Sequence, residues 1–163
     1  MPLSRSFARL KREISEKKWN KARRWAGSRV SAKRCRMPRE QRPDKTVAGS
    51  SKRLASRFYQ MKTGHCLIGQ YINWTKNRAT AQCWWCRYAT QTREHILKNC
   101  PEWKTQQKVL WAEVRKGAGR GKSRFEIRDL LADGRCSQAV LDFLSPRTQG
   151  GWYRLRTTRK ARR

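Results

Sequence analysis

Acidic side chains are scarce in this chain: 11 Asp and Glu stand against 41 Lys and Arg in 163 residues, a formal net charge of +30. The few acids form no paired arrangement of the kind that holds two metal ions in polymerases or ribonuclease H, so no such catalytic centre is expected. Long apolar runs are missing as well. Nothing approaches the ~18 consecutive apolar residues of a membrane-spanning helix. The first 25 residues carry basic side chains from Arg5 onward where a secretory signal needs an apolar stretch. With 37% hydrophobic and 32% charged residues, a single large core is not expected. No internal repeat is visible, and period-two alternation is confined to Cys83 to Tyr88, where a small ribbon hairpin fits. The run Gly117-Ala-Gly-Arg-Gly-Lys122 lacks both the G-x4-G-K-[ST] spacing and the preceding strand of a phosphate loop, and reads as a helix-terminating linker.

What is present points to a polyanion. So one-sided a charge implies nucleic acid as partner, because the membrane alternative needs an apolar span or a strongly apolar helix face. The sharpest local signal is Cys83-x2-Cys86-x8-His95-x4-Cys100. Three thiols and one imidazole make a closed four-ligand set for Zn²⁺, which leaves no position for water and marks a structural metal. The Cys-x2-Cys turn sets two sulfurs on one side of a tight loop. His95 falls in a segment that reads as a helix with Thr92 as N-cap, and Cys100 stands at its end before Pro101. The remaining cysteines, Cys35, Cys66 and Cys136, have no partner spacing and are expected as reduced thiols, buried or at the surface. His65, beside Cys66, is expected as a turn histidine, since no second ligand cluster lies near it.

Four segments divide the chain. Residues 1–26 read as a basic amphipathic helix, with Leu3, Phe7, Leu10 and Ile14 at three- and four-residue steps. Residues 27–49, without periodicity or apolar content, read as a flexible basic linker carrying Arg34, Arg36, Arg39 and Arg42. Residues 50–145 read as a helical domain around the 83–100 knuckle, and 146–163 as a basic flexible tail. Within the domain, Ser50 or Ser51 caps a helix through Leu54, Phe58 and Met61 that Thr63-Gly64 ends. Leu67, Tyr71 and Trp74 share helical spacing. Pro101 to Lys116 reads as a helix with Trp103, Leu110, Trp111 and Val114 as its stripe. Ser123-x-x-Glu126 is a capping box ahead of Ile127, Leu130 and Leu131. A last helix follows Ser137, with Val140, Leu141 and Leu144 inward.

The stretch Leu54-Ala-Ser-Arg-Phe-Tyr-Gln-Met-Lys-Thr-Gly-His-Cys-Leu-Ile-Gly-Gln-Tyr-Ile72, followed by Cys83-Trp-Trp-Cys86, Thr92-x-x-His95 and Cys100-Pro101, resembles the region downstream of the ribonuclease H domain in non-LTR retrotransposon reverse transcriptases, particularly fungal ones. That family has a Thr-Gly-His turn ahead of a Cys-x-x-Cys…Glu-Thr-x-x-His…Cys knuckle. Thr63, Gly64, His65, Cys83, Cys86, Thr92, His95 and Cys100 occupy those places, and Gln91 stands where Glu is commoner, outside the ligand set. The likeness covers about residues 50 to 145. It implies the C-terminal end of a longer polyprotein with RNA-directed DNA polymerase activity elsewhere, a nuclear setting, and the element's RNA or its target DNA as ligand.

The expectation is therefore a mainly α assembly around one Cys3His zinc knuckle, binding nucleic acid without catalysing. Phosphates would meet Arg34, Arg36, Arg39, Arg42, Arg53 and Arg57, while the knuckle loop offers Trp84, Trp85, Arg87 and Arg93 to single-stranded or structured nucleic acid. The two tryptophans can instead pack over the thiolates. A stand-alone basic zinc protein, ribosome-associated or regulating DNA, shares these features. A protein-interaction module using the faces Leu110–Val114 and Val140–Leu144 is the third reading.

Overall fold

Ser6 opens the first helix, α1 (Phe7–Gly27), by accepting the backbone N–H of Arg9 at 3.3 Å. The computed structural model describes residues 6–28, 43–119 and 121–145, and Arg34, Arg36, Arg39, Arg42, Cys35 and the 146–163 segment lie outside them. Helix α1 has the expected amphipathic pattern, but Phe7, Leu10, Ile14 and Trp25 are all exposed and none of its described side chains is buried.

A helix begins earlier than the composition suggested. Within the stretch read as linker, Asp44 accepts the N–H groups of Thr46 and Val47 and starts a short helix, α2 (Lys45–Ala48). Val47 is fully buried, and the Asp44 carboxylate also accepts the Ser137 hydroxyl. A four-residue helix gives no periodic signal, so its one buried residue, Val47, read as linker.

Helix α3 (Lys52–Thr63) has the anticipated ends: Ser51 caps it, and Gly64 closes it at φ 82°, a conformation that favours glycine. Phe58 and Met61 are buried and Leu54 partly so. In α4 (Gly69–Trp74) the inward residues differ from the Leu67, Tyr71, Trp74 face. Ile68 is buried, whereas Leu67 and Trp74 are 65% and 62% exposed. The cause is Gly69: a Cβ there would lie 2.3 Å from the Ala81 carbonyl oxygen, so the backbone itself packs against residue 81 and fixes the helix's rotation.

A 3₁₀ turn, Pro101–Trp103, buries the expected Trp103 and leads into α5 (Lys104–Ala118), which buries Leu110, Trp111 and Val114 and ends at Gly119 in the left-handed region. Ser123 and Glu126 do not form a capping box. Residues Lys122–Arg124 make a 3₁₀ turn, Glu126 occupies the cap position of α6 (Ile127–Leu130) without a side-chain bond, and its carboxylate pairs with Arg128 at 2.6 Å. The 3₁₀ turn Gly134–Cys136 then feeds α7 (Ser137–Leu144).

Helix α7 is central, packing on α2, α3 and α5. Val140, Leu141, Phe143 and Leu144 are all at most 3% exposed, and at ~1.5–3 kcal/mol per buried large apolar side chain this helix organises the core. The faces Leu110–Val114 and Val140–Leu144, considered for a protein partner, are thus largely spent inside the chain: Leu110, Val114, Val140 and Leu144 are buried. The architecture is mainly helical, and among the described residues there is no strand and no helix long and apolar enough to cross a membrane. The ribbon hairpin expected at Cys83 to Tyr88 is a hydrogen-bonded turn instead.

Candidate metal centre and its surroundings

Cys83 and Cys86 are brought together by two backbone bonds: the Cys83 N–H donates to the Tyr88 carbonyl at 2.8 Å, and the Arg87 N–H to the Cys83 carbonyl at 2.9 Å. Arg87 closes the loop at φ 64°, a strained conformation for a residue with a Cβ. On the other side, the Thr92 hydroxyl accepts the His95 N–H at 2.9 Å, the expected cap. The segment then widens into a π-helix, His95–Asn99, ending on the bond from the Cys100 N–H to the His95 carbonyl.

The four donors converge. Cys83 Sγ lies 4.0 Å from Cys100 Sγ, Cys86 Sγ lies 3.2 Å from His95 Nε2, and all four ligand atoms fall within 4.8 Å of one another, where they could bind a metal ion. Cys83 and Cys100 are fully buried, His95 nearly so, and Cys86 half-buried. Burial pushes the Cys100 thiol up to about 12, the neighbouring Cys83 and Cys86 add to this, and the backbone N–H of Glu102 opposes it. Burial also lowers His95, which favours the neutral imidazole that metal binding requires. A cation among these groups reverses the thiol preference, because it favours the thiolates directly.

Two residues that sequence reasoning did not place at the centre prove to touch it. The Tyr88 ring stacks on the His95 imidazole at 4.9 Å and 8°, covering a ligand with an exposed aromatic face. Gln91, fully buried, donates its side-chain N–H to Cys83 Sγ at 3.5 Å, and its Oε1 accepts the Gly69 N–H at 2.7 Å. Its backbone also bonds both ways, to Ala81 and from Gln70. A glutamine one residue before the Thr cap is the only sequence trace of that role, and it is visible only once Gly69 is adjacent.

Helix α5 secures the far side. Gln107 donates to the carbonyls of Ile96 at 2.8 Å and Cys100 at 3.2 Å, and the Trp111 indole to that of Leu97 at 2.8 Å. These satisfy carbonyls that the end of a helix leaves open.

The candidate nucleic-acid contacts separate by position. Trp85 is half-buried with its ring edge-on to Trp103 at 5.1 Å, tying it to the core. Trp84 lies 5.4 Å from Trp85, half-buried, with the Arg78 guanidinium 5.6 Å from its ring centroid. Arg93 donates to the carbonyls of Met61 at 2.9 Å and Lys62 at 3.2 Å, capping the end of α3. Arg57 donates to the Leu144 carbonyl at 3.1 Å at the end of α7, and its pKa is lowered by partial burial and by the charge of Arg53. Arg53 and Arg87 are exposed. His65 is an exposed turn residue beside the Thr63 hydroxyl at 3.0 Å, and Cys66 and Cys136 are buried free thiols. No protein-family model, curated protein or solved structure matches this chain.

Proposed function

We propose that this chain is a zinc-dependent nucleic-acid-binding module without polymerase or nuclease activity, corresponding to the C-terminal end of a non-LTR retrotransposon reverse transcriptase polyprotein. The observation that carries the reading is the convergence of Cys83, Cys86, His95 and Cys100 in a chain of net charge +30. Zn–S bonds of about 2.3 Å in a tetrahedron put sulfurs about 3.8 Å apart, close to the 4.0 Å between Cys83 and Cys100. Three thiolates and an imidazole favour zinc over cations that seek oxygen. Zinc held by this closed set supplies folding energy and no open position for chemistry.

Held in that way, the 83–88 loop offers Trp84 and Arg87 beside Arg78 to a phosphate backbone and unpaired bases, and the exposed Arg53 of α3 would add a phosphate contact. The arginines of residues 34–42 would add phosphate contacts. Element RNA or target DNA is the natural ligand on this reading.

Elemental analysis of the purified chain, together with anisotropy titration of labelled single strands, tests it. One zinc per chain is expected. Affinity should fall linearly with log salt, by about three to five decades between roughly 50 and 200 mM for ~6–10 phosphate contacts. Full metal retention by Cys100→Ala, or affinity indifferent to salt, overturns the reading.

A further inference from the structure

Trp74 sits at the end of α4 with 62% of its surface exposed, an unusual place for the largest apolar side chain. It is braced, not loose. Tyr71, half-buried, packs against it with ring centroids 5.8 Å apart, and His65 meets Tyr71 edge-on at 5.6 Å. The helix that carries both rings is fastened to the metal centre, since the Gly69 N–H bonds the Gln91 side chain and the Gln70 N–H bonds the Gln91 carbonyl at 3.1 Å.

Immediately beyond the ring the chain turns through Lys76, which adopts φ 58° and is exposed. The turn is built by side chains: Asn77 donates to the Thr75 hydroxyl at 2.9 Å, and Asn73 to the Arg78 carbonyl at 3.1 Å. Arg78 therefore has its backbone against α4 and its guanidinium over Trp84, so it bridges the Trp74 turn to the knuckle loop. The stretch of sequence that carries this surface has no negative charge of its own. Residues 45–93 contain not one Asp or Glu, and nine Lys or Arg: Lys45, Lys52, Arg53, Arg57, Lys62, Lys76, Arg78, Arg87 and Arg93.

We propose that Trp74, backed by Tyr71 and flanked by Lys76 and Arg78, is a base-stacking platform for single-stranded nucleic acid, with the strand continuing across Arg78 to the knuckle. An exposed ring in a cationic frame suits a ligand that presents flat π faces and phosphates alternately, whereas duplex hides its bases from such a ring. The proposal rests on the nucleic-acid reading above. It adds a stacking residue outside the metal knuckle, where Trp85 is already committed to the core.

The test uses the full, zinc-loaded chain and a labelled 20-nucleotide oligouridylate, with a duplex of equal length as control. Trp74→Leu keeps apolar bulk without a π face, and Trp74→Phe keeps a ring. Because most of the residue is exposed, metal content should not change, and melting temperature should fall only by the small loss of its contact with Tyr71. The expected result is a loss of about 5- to 150-fold on the single strand for Trp74→Leu and a far smaller loss for Trp74→Phe. Duplex affinity and the salt slope should stay the same. Single-strand affinity unchanged in Trp74→Leu, with the wild type binding normally, overturns the platform and leaves the nucleic-acid reading standing. Retention in Trp74→Leu with loss in Trp74→Ala also overturns it, and marks the face as one for an apolar protein partner. A wild type that binds no single strand at low salt overturns both.

Discussion

The carbonyl of His95 accepts the backbone N–H of Cys100 at 2.6 Å, so two members of the Cys3His cluster stand at the two ends of one wide turn. An α-turn would close one residue earlier and leave Cys100 further round the axis. Such π-turns are rare and concentrate at functional sites. Here the carbonyls they crowd together are taken up by Gln107 and Trp111 of α5, which makes α5 the scaffold of the centre.

Removing one residue from that turn should therefore cost metal without removing a ligand. Deletion of the exposed Asn99 leaves all four donors in the chain but rotates Cys100 by about 100° relative to His95. Metal affinity should drop at least as far as for Cys100→Ala, measured by competition with a chromogenic chelator. Wild-type affinity in the deletion would mean that the π-turn is incidental to the site.

Gln91 offers a finer probe, because its amide is oriented by necessity. The Gly69 N–H can only face an acceptor, so the amide nitrogen must face Cys83. Gln91→Glu preserves the bond to Gly69 but replaces the N–H beside the sulfur with a carboxylate oxygen. Metal affinity should fall by about 10- to 100-fold, the range seen when outer partners of metal ligands are changed. Gln91→Ala should instead cost about 1–3 kcal/mol of stability by leaving the Gly69 N–H buried and unsatisfied. Chemical denaturation alongside metal titration separates the two effects, and equal affinities for wild type and Gln91→Glu would dismiss the N–H···S contact.

The Cys83, Cys86, His95, Cys100 cluster was legible because the identity and spacing of its members are local. The ends of α3 and the inward faces of α3 and α5 were legible for the same reason, with Ser51 and Gly64 as caps and a sustained apolar stripe from Trp103 to Val114, although α5 starts at Lys104 after a 3₁₀ turn and runs through Gly117 to Ala118. What escaped depends on distant partners. Val47 is core only because α7 lies over it, the rotation of α4 is set by Gly69 against residue 81, and Glu126 pairs with Arg128 instead of capping. Arg57 and Arg93 have the sequence appearance of phosphate contacts, and the carbonyls they cap come from residues 87 and about 31 positions away.

The buried thiols outside the centre predict an alkaline limit to stability. Burial raises Cys66 and Cys136 from 9.0 to about 11, Arg93 partly offsetting the rise at Cys66 and Asp133 adding to it at Cys136. A group raised on folding stabilises fully below its unfolded pKa and loses that contribution as pH climbs towards its folded value. Melting temperature should thus hold below about pH 9 and decline between pH 9 and 11, each thiol accounting for up to about 2–3 kcal/mol. Cys136→Ala should flatten its share of the decline. A flat profile to pH 11 in the wild type would contradict this.

Arginines in this chain divide into those that hold the fold and those that face outward, and two measurements distinguish them. Arg93 is half-buried, with its guanidinium on the last carbonyls of α3, whereas Arg87 is exposed on the knuckle loop. Charged hydrogen bonds of this kind contribute about 1.5–3 kcal/mol, so Arg93→Ala should lower stability by roughly that amount. Its phosphate-binding role should be small, and the slope of log affinity against log salt should barely move in the folded variant. Arg87→Gly should do the reverse. It relieves a left-handed residue at φ 64°, gaining up to about 1 kcal/mol, while removing one phosphate contact and shallowing the salt slope by about 0.7–0.9. If Arg93→Ala instead left stability intact and shallowed the slope, the cap on α3 would be dispensable and Arg93 would belong to the nucleic-acid face after all.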